Sequence, residues 1–293
     1  MAVIVPSLRY ERRLWRDGCS RVAGVDEVGV APTCGAVVAA AVIMRPNCHR
    51  IPGVRDSKTL SAAQRERLAP LIRARAVAIG VGAASVREID QLNIYHATHL
   101  AMRRAIARVG GHDHVLVDGN RIAGFEAAVG PYSNVVDGDA KVYSIACASV
   151  VAKVVRDRMM ARLAARYPGY GWERNQGYAT LEHRRAIRRL GLTPFHRRSF
   201  LALQRTLAGD QGSLDLFGDE PNEDLLGDER NDVLLGAAAT GEPLDELDLA
   251  DLVGAYASEP ADATRPAGSA GPGPSHGGRR ARGSGLLTTT MPS

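Results

Sequence analysis

No apolar run in this 293-residue chain reaches the roughly 18–20 residues that a membrane span needs, because Arg, Asp or Pro interrupts each candidate. A membrane role is therefore not expected. The N-terminus MAVIVPSLRYERRLW sets a short apolar start before its charges, the reverse of a secretory signal. Cysteine is scarce: Cys19, Cys34, Cys48 and Cys147 show no C-x-x-C spacing, which argues against a zinc site and for reduced thiols in a cytoplasm. Aromatic residues make up only 5% and nearly vanish after Gly209. The 45% hydrophobic content still suffices for one good core or two small ones.

What is present is unevenly spread. Residues 1–209 hold 32 of the 37 Lys and Arg but only 16 of the 32 Asp and Glu, a surplus of 16 positive charges. Residues 210–293 carry a surplus of 11 negative charges. A body that basic suits a polyanion, most simply nucleic acid. An Arg-favouring genome would give the same balance, so composition alone does not choose. The acidic segment suits a solvating or self-shielding extension.

The order of patterns is mixed α/β. Val22–Val25 and Ala36–Met44 are β-rich runs around a Gly/Pro turn and predict a hairpin. Ser61…Gln64 and Ser85…Glu88 read as capping boxes opening helices, the first carrying Pro70 as a source of a kink. AVAIGVGAA (76–84) and HVLVD (114–118) predict strands. SIACASVVAKVVRDRMMARLAARY predicts a long helix stopped by Pro168-Gly169, and TLEHRRAIRRLG a basic helix closed by Gly191. The division expected is a lead-in (1–20), one domain (21–209), and an acidic, then Pro/Gly/Ser-rich tail (210–293) predicted to be mostly disordered.

Four acids keep unusual company. Asp26 and Glu27 sit inside RVAGVDEVGVAPTCGAVVAAAVIM, Asp118 ends VLVD, and Asp139 follows VVDG. Each place follows a short apolar run, so three strand tips would gather carboxylates at one point. Such a cluster needs hard cations, and Mg²⁺ or Mn²⁺ suits carboxylate and water oxygens. With a basic body around it, the chemistry suggested is two-metal phosphodiester hydrolysis. Taken singly, an Asp beside Gly is more often a turn residue. Neighbours in a strand also face opposite ways, so Asp26 and Glu27 share one ion only across a bulge, unless Glu27 offers its carbonyl.

AGVDEVG, DSK (56–58), LNIYHATHLAM, VLVDGN, GDAK, IACASVVAKVVRD, YPGYGW, GYAT and HRRSF together, in this order over residues 22–200, resemble the ribonuclease HII (type 2 RNase H) family. The resemblance implies an RNase H-like fold: a central mixed β-sheet flanked by helices, with a helical C-terminal part, making residues 21–209 the catalytic domain. It implies endonucleolytic cleavage of RNA in RNA–DNA hybrids, leaving 3′-hydroxyl and 5′-phosphate ends, by a chain expected to be monomeric. The family's metal-binding acids fall on Asp26, Glu27, Asp118 and Asp139, and its sugar-stacking tyrosine on Tyr178. Lys58 suits a phosphate contact. Asp157, on an Arg-rich helix, is expected to be an ion-paired structural acid instead.

Departures bear on substrate. Where the family usually reads Gly-Arg-Gly or Gly-Lys-Gly, this chain has Gly29-Val30-Ala31. The resemblance assigns that loop's backbone to the ribonucleotide 2′-hydroxyl and its cation to a phosphate. Asp137 and Gln176 also replace usual lysines. Weaker recognition of a single embedded ribonucleotide is expected, as is a flatter salt dependence. A non-catalytic hybrid-binding member is the alternative. In the tail, DQGSLDLFGDE sets Leu214, Leu216 and Phe217 in an acidic, Gly-flanked segment similar to peptides that dock on the bacterial sliding clamp.

Overall fold

A computed structural model describes residues 5–208; Leu214, Leu216 and Phe217 lie outside the described residues. The expected hairpin forms from β1 (Val22–Val28) and β2 (Val37–Met44), antiparallel, with Asp26 opposite Ala40 and Glu27 opposite Ala39. β3 (Ala76–Ala84) adds antiparallel to β2, while β4 (His114–Asp118) pairs parallel with β1 and β5 (Tyr132–Val135) parallel with β4. The sheet order is β3-β2-β1-β4-β5. All eight residues of β2 are buried, which is why that run is apolar without alternation: both faces are covered.

One cover is α3 (Val86–Ala107) with the short α4 (Phe125–Val129), packed on Ala23, Val25, Val37, Ala39, Ala41, Ile43, Val115 and Val117. The other is α6 (Tyr143–Arg166) with α2 (Ala62–Arg75), packed on Val38, Ala40, Val42 and Met44. α6 lies so close that a Cβ on Gly24 would overlap the Ser144–Ile145 backbone. Both capping boxes form, Ser61 with Gln64 and Ser85 with Glu88. α2 runs through Pro70, and α3 is interrupted at Asn93 (φ 65°), whose Oδ1 accepts from the His96 amide to start its second half. The lead-in holds α1 (Arg9–Arg16), whose buried Glu11 accepts from the Ser144 amide at 2.7 Å at the positive end of α6. After α6 come α7 (Trp172–Asn175), α8 (Leu181–Leu190) and α9 (Leu201–Leu207), over a cluster of Tyr170, Trp172, Ile187, Phe195 and Leu203. Among the described residues no helix is long and apolar enough to cross a membrane.

Candidate metal centre

The parallel pairing of β1 with β4 aligns Gly24 with Leu116 and Val25 with Val117. Continued one step, it sets Asp26 beside Asp118, both on the α6 face. Asp139 arrives differently from expectation. It sits in the single turn of α5 (Gly138–Lys141) and not at a strand tip, because β5 ends at Val135 and Asp137 (φ 53°) turns the chain back. The Gly138 amide donates to Asp118 Oδ1 at 2.6 Å and locks that turn onto β4. Asp26, Asp118 and Asp139 each offer an oxygen within 4.8 Å of the others. Glu27 is not in that trio. The strand is regular there, so its side chain leaves from the opposite face to Asp26.

The electrostatics are those of carboxylates crowded together and partly removed from water. Burial first, then Glu27 and Asp118, holds Asp26 well above the usual carboxylate range, against a Ser149 hydrogen bond that favours its charged form. Burial and then Asp118 push Glu27 up to about 7, with Lys58 opposing. Asp139 rises to about 7 through burial, then Asp118 and Asp56. A divalent cation would reverse every one of these repulsions, and three carboxylate oxygens suit Mg²⁺ or Mn²⁺ over softer metals.

Around the acids, α6 and the 3₁₀ turn Ser57–Thr59 form the frame. Ser57 and Ser149 hydroxyls meet at 2.8 Å, and Asp56 caps the turn by accepting from the Lys58 amide at 2.8 Å. This sets the exposed Lys58 ammonium near enough to Glu27 and Asp139 to favour their charged forms. Asp157 is ion-paired with Lys153 (2.6 Å) and Arg65 (3.1 Å), as expected of a structural acid.

The second region is the loop after β1. Gly29 takes φ +91°, and a Cβ there would run into the Arg156 guanidinium. Val30 turns inward onto the α3-side cluster, and Ala31 is exposed. Thr33 donates N–H (3.0 Å) and hydroxyl (3.2 Å) to the Gly177 carbonyl, tying this loop to the one bearing exposed Tyr178. The Tyr178 carbonyl, an acceptor only, lies 2.8 Å from His183 Nδ1, which therefore carries the proton. His183 Nε2 then accepts from Trp172 Nε1–H at 2.9 Å. His196 Nδ1 accepts from the Thr193 amide at 2.9 Å, leaving its Nε2–H to meet His183 Nε2 at 3.2 Å. Both imidazoles are neutral in this arrangement, and burial pushes both pKa values down, that of His196 to about 4.

Sequence reasoning missed Asp56, Ser149, Arg156, His183 and Arg197. For Arg156 a signal existed: its i−4 and i+4 neighbours, Ala152 and Met160, mark the buried stripe of α6.

The family model for Ribonuclease HII matches residues 23–203. A ribonuclease HII of Thermosynechococcus vestitus is 57% identical over 197 residues, 67% of this chain and 90% of the relative. The ribonuclease H2 of Pyrococcus horikoshii superposes with a TM-score of 0.57 at 24% identity, over 64% of this chain and 98% of that one, a likeness of fold. A chain of the PCNA:RNase HII complex from Archaeoglobus fulgidus gives 0.53 at 25% identity, over 61% and 95%.

Proposed function

Because the chain belongs to the ribonuclease HII family and is a ribonuclease H, we propose that it hydrolyses the RNA strand of RNA–DNA hybrids with two divalent ions. The observation that carries this is the meeting of Asp26, Asp118 and Asp139 within 4.8 Å. These three, with Glu27 at the margin, would hold Mg²⁺ or Mn²⁺. Bound there, such ions would make water more acidic and would offset charge on the scissile phosphate and leaving oxygen. The chain's own residues supply position. Ser149 and the Gly138 amide orient Asp26 and Asp118 by hydrogen bonds to their carboxylates. Lys58 meets a backbone phosphate as a point charge. Tyr178 offers a ring face to the sugar beside the cut. Water attacks phosphorus, the bond to O3′ breaks, and 3′-hydroxyl and 5′-phosphate ends remain.

Recognition of a lone ribonucleotide is weakened in this proposal. Val30 faces the core and carries no charge, and Ala31 adds a Cβ on the exposed side of the loop. Each missing phosphate contact lowers affinity and flattens its salt dependence. The work of the enzyme lies in replication or repair, as a cytoplasmic monomer. Leu214, Leu216 and Phe217 would tether it to a sliding clamp, in line with the complex that the Archaeoglobus relative forms with PCNA. Retention of a clamp on immobilised protein, compared with Leu216→Ala/Phe217→Ala, tests the tether; equal retention rejects it.

The deciding experiment is hydrolysis of a labelled continuous hybrid with Mg²⁺ or Mn²⁺, beside Asp118→Asn and beside a DNA duplex with one ribonucleotide. Expected are metal-dependent cuts in the hybrid, slower incision at the lone ribonucleotide, and neither with Asp118→Asn. Tight binding of hybrid without any cut would instead establish the non-catalytic alternative.

A further inference from the structure

Tyr178 is 39% exposed, and among the described residues no hydrogen bond or ring contact holds its side chain. Where its ring can reach is therefore set by the backbone from which it pivots. That backbone is held at both its polar groups. The Tyr178 amide donates to the Asn175 carbonyl at 2.9 Å, and the Tyr178 carbonyl accepts from the Thr180 amide at 2.8 Å and from His183 Nδ1–H at 2.8 Å. The two residues before it, Gln176 (φ 51°) and Gly177 (φ 86°), both lie in the left-handed region, which is unfavourable for glutamine, so the turn depends on ties from outside itself. Arg156 supplies one, donating to the Gln176 carbonyl at 3.1 Å.

His183 supplies the tie that leads into the core. It is fully buried on the first turn of α8, with its ring edge-on to Trp172 (centroids 6.1 Å apart, planes at 90°) and to Tyr170 (6.2 Å, 87°). The Trp172 indole can only donate, so its bond to Nε2 keeps that nitrogen bare and leaves the proton on Nδ1, facing Tyr178. Turning the imidazole over would break both bonds and strand the buried indole N–H. A histidine serving the core alone would also be buried and satisfied. What sets His183 apart is where its one proton goes: to the main chain of the exposed tyrosine and not to a core acceptor.

We infer that His183 is a positioning residue for Tyr178, an assignment that rests on the sugar-stacking role proposed above for that tyrosine. Trp172 selects the tautomer, His183 passes the rigidity of the buried aromatic cluster to the Tyr178 carbonyl, and the ring is presented on a turn already ordered before substrate arrives.

The test is a double-mutant cycle in the full chain, reading kcat/KM on a continuous hybrid with each protein's cooperative melting checked. His183→Leu should lower kcat/KM about fivefold, as expected for one hydrogen bond, and Tyr178→Ala at least as much. The double variant should be no slower than Tyr178→Ala to within about twofold, because His183 acts through the ring already removed. His183→Asn, whose side-chain N–H can take the place of Nδ1–H, should restore most of the activity. A histidine that only stabilises the fold would lower both backgrounds alike, so losses that multiply overturn the assignment, as does full activity in His183→Leu. Should the leucine variant fail to melt cooperatively, His183→Asn is compared with His183→Gln, which carries its polar group toward the Nε2 position. Activity near natural for Asn and about fivefold lower for Gln supports the assignment, and equal activities overturn it. Failure of the underlying readings is separately visible: the natural chain would leave the hybrid uncut, or Tyr178→Ala would cut it at the natural rate.

Discussion

Acid should loosen the C-terminal part of the domain through the His183–His196 pair, and the size of the effect follows from the hydrogen-bond pattern. Protonating His196 at Nδ1 turns an acceptor of the Thr193 N–H into a donor facing that donor. Protonating His183 at Nε2 does the same against Trp172 and His196. Both groups are buried, so the folded state resists the proton while the unfolded chain takes it at the ordinary value near 6.5. Folded pKa values below unfolded ones mean that stability is whole above about pH 6.5 and falls as pH drops toward 4. For His196 the shift from 6.5 to about 4 corresponds to roughly 3 kcal/mol lost across that window. Carboxylates titrate in the same range, so the measurement is a difference: denaturant unfolding of the natural chain and of His196→Asn, from pH 7.5 to 4. Asn keeps an acceptor for the Thr193 amide and takes up no proton. The advantage of the natural chain over the variant should shrink by about 2–3 kcal/mol on acidification. An advantage independent of pH would refute the assignment of neutral, proton-excluding imidazoles.

Three further outcomes follow from the site. Gly138→Ala places a Cβ 2.7 Å from Ile145 and 3.0 Å from Asp118 Oδ1; the displaced carboxylate should lower kcat on a hybrid about a hundredfold, with folding intact by circular dichroism. Asp139→Asn removes one of several crowded buried charges; without divalent ions its melting temperature should rise by a few degrees, and added Mn²⁺ should then stabilise it less than it does the natural chain. Asp157→Asn breaks its pairs with Lys153 and Arg65; about 1–3 kcal/mol of stability should be lost in urea titrations while metal-dependent cleavage at 25 °C keeps its rate.

Much of the sheet was legible because its strands are written in local terms. AVAIGVGAA and HVLVD coincide with β3 and β4, and both serine capping boxes formed where Gln64 and Glu88 stand three residues on. α1 and β5 were not legible. RYERRLWR looks like a charged lead-in, and its role depends on Glu11 reaching Ser144, 133 residues away. Tyr132–Val135 is short and polar, and becomes a strand because β4 offers it an edge. At the site, the resemblance named the acids, but only the turn at Asp137 explains how Asp139 reaches Asp118. The buried arginines escaped notice since an arginine in a basic chain reads as surface. What distinguishes Arg156 and Arg197 is the set of carbonyls from a distant loop, and no spacing along the chain reveals those.

Acids from β1, β4 and α5 are proposed to make one shared site for divalent cations. This is tested most directly by titrating Mn²⁺ into the full chain by calorimetry or electron paramagnetic resonance, beside Asp26→Asn, Asp118→Asn and Asp139→Asn. Binding in the natural chain that is lost or weakened at least tenfold in each of the three variants is the expected result. Mn²⁺ affinity unchanged in all three would contradict the account.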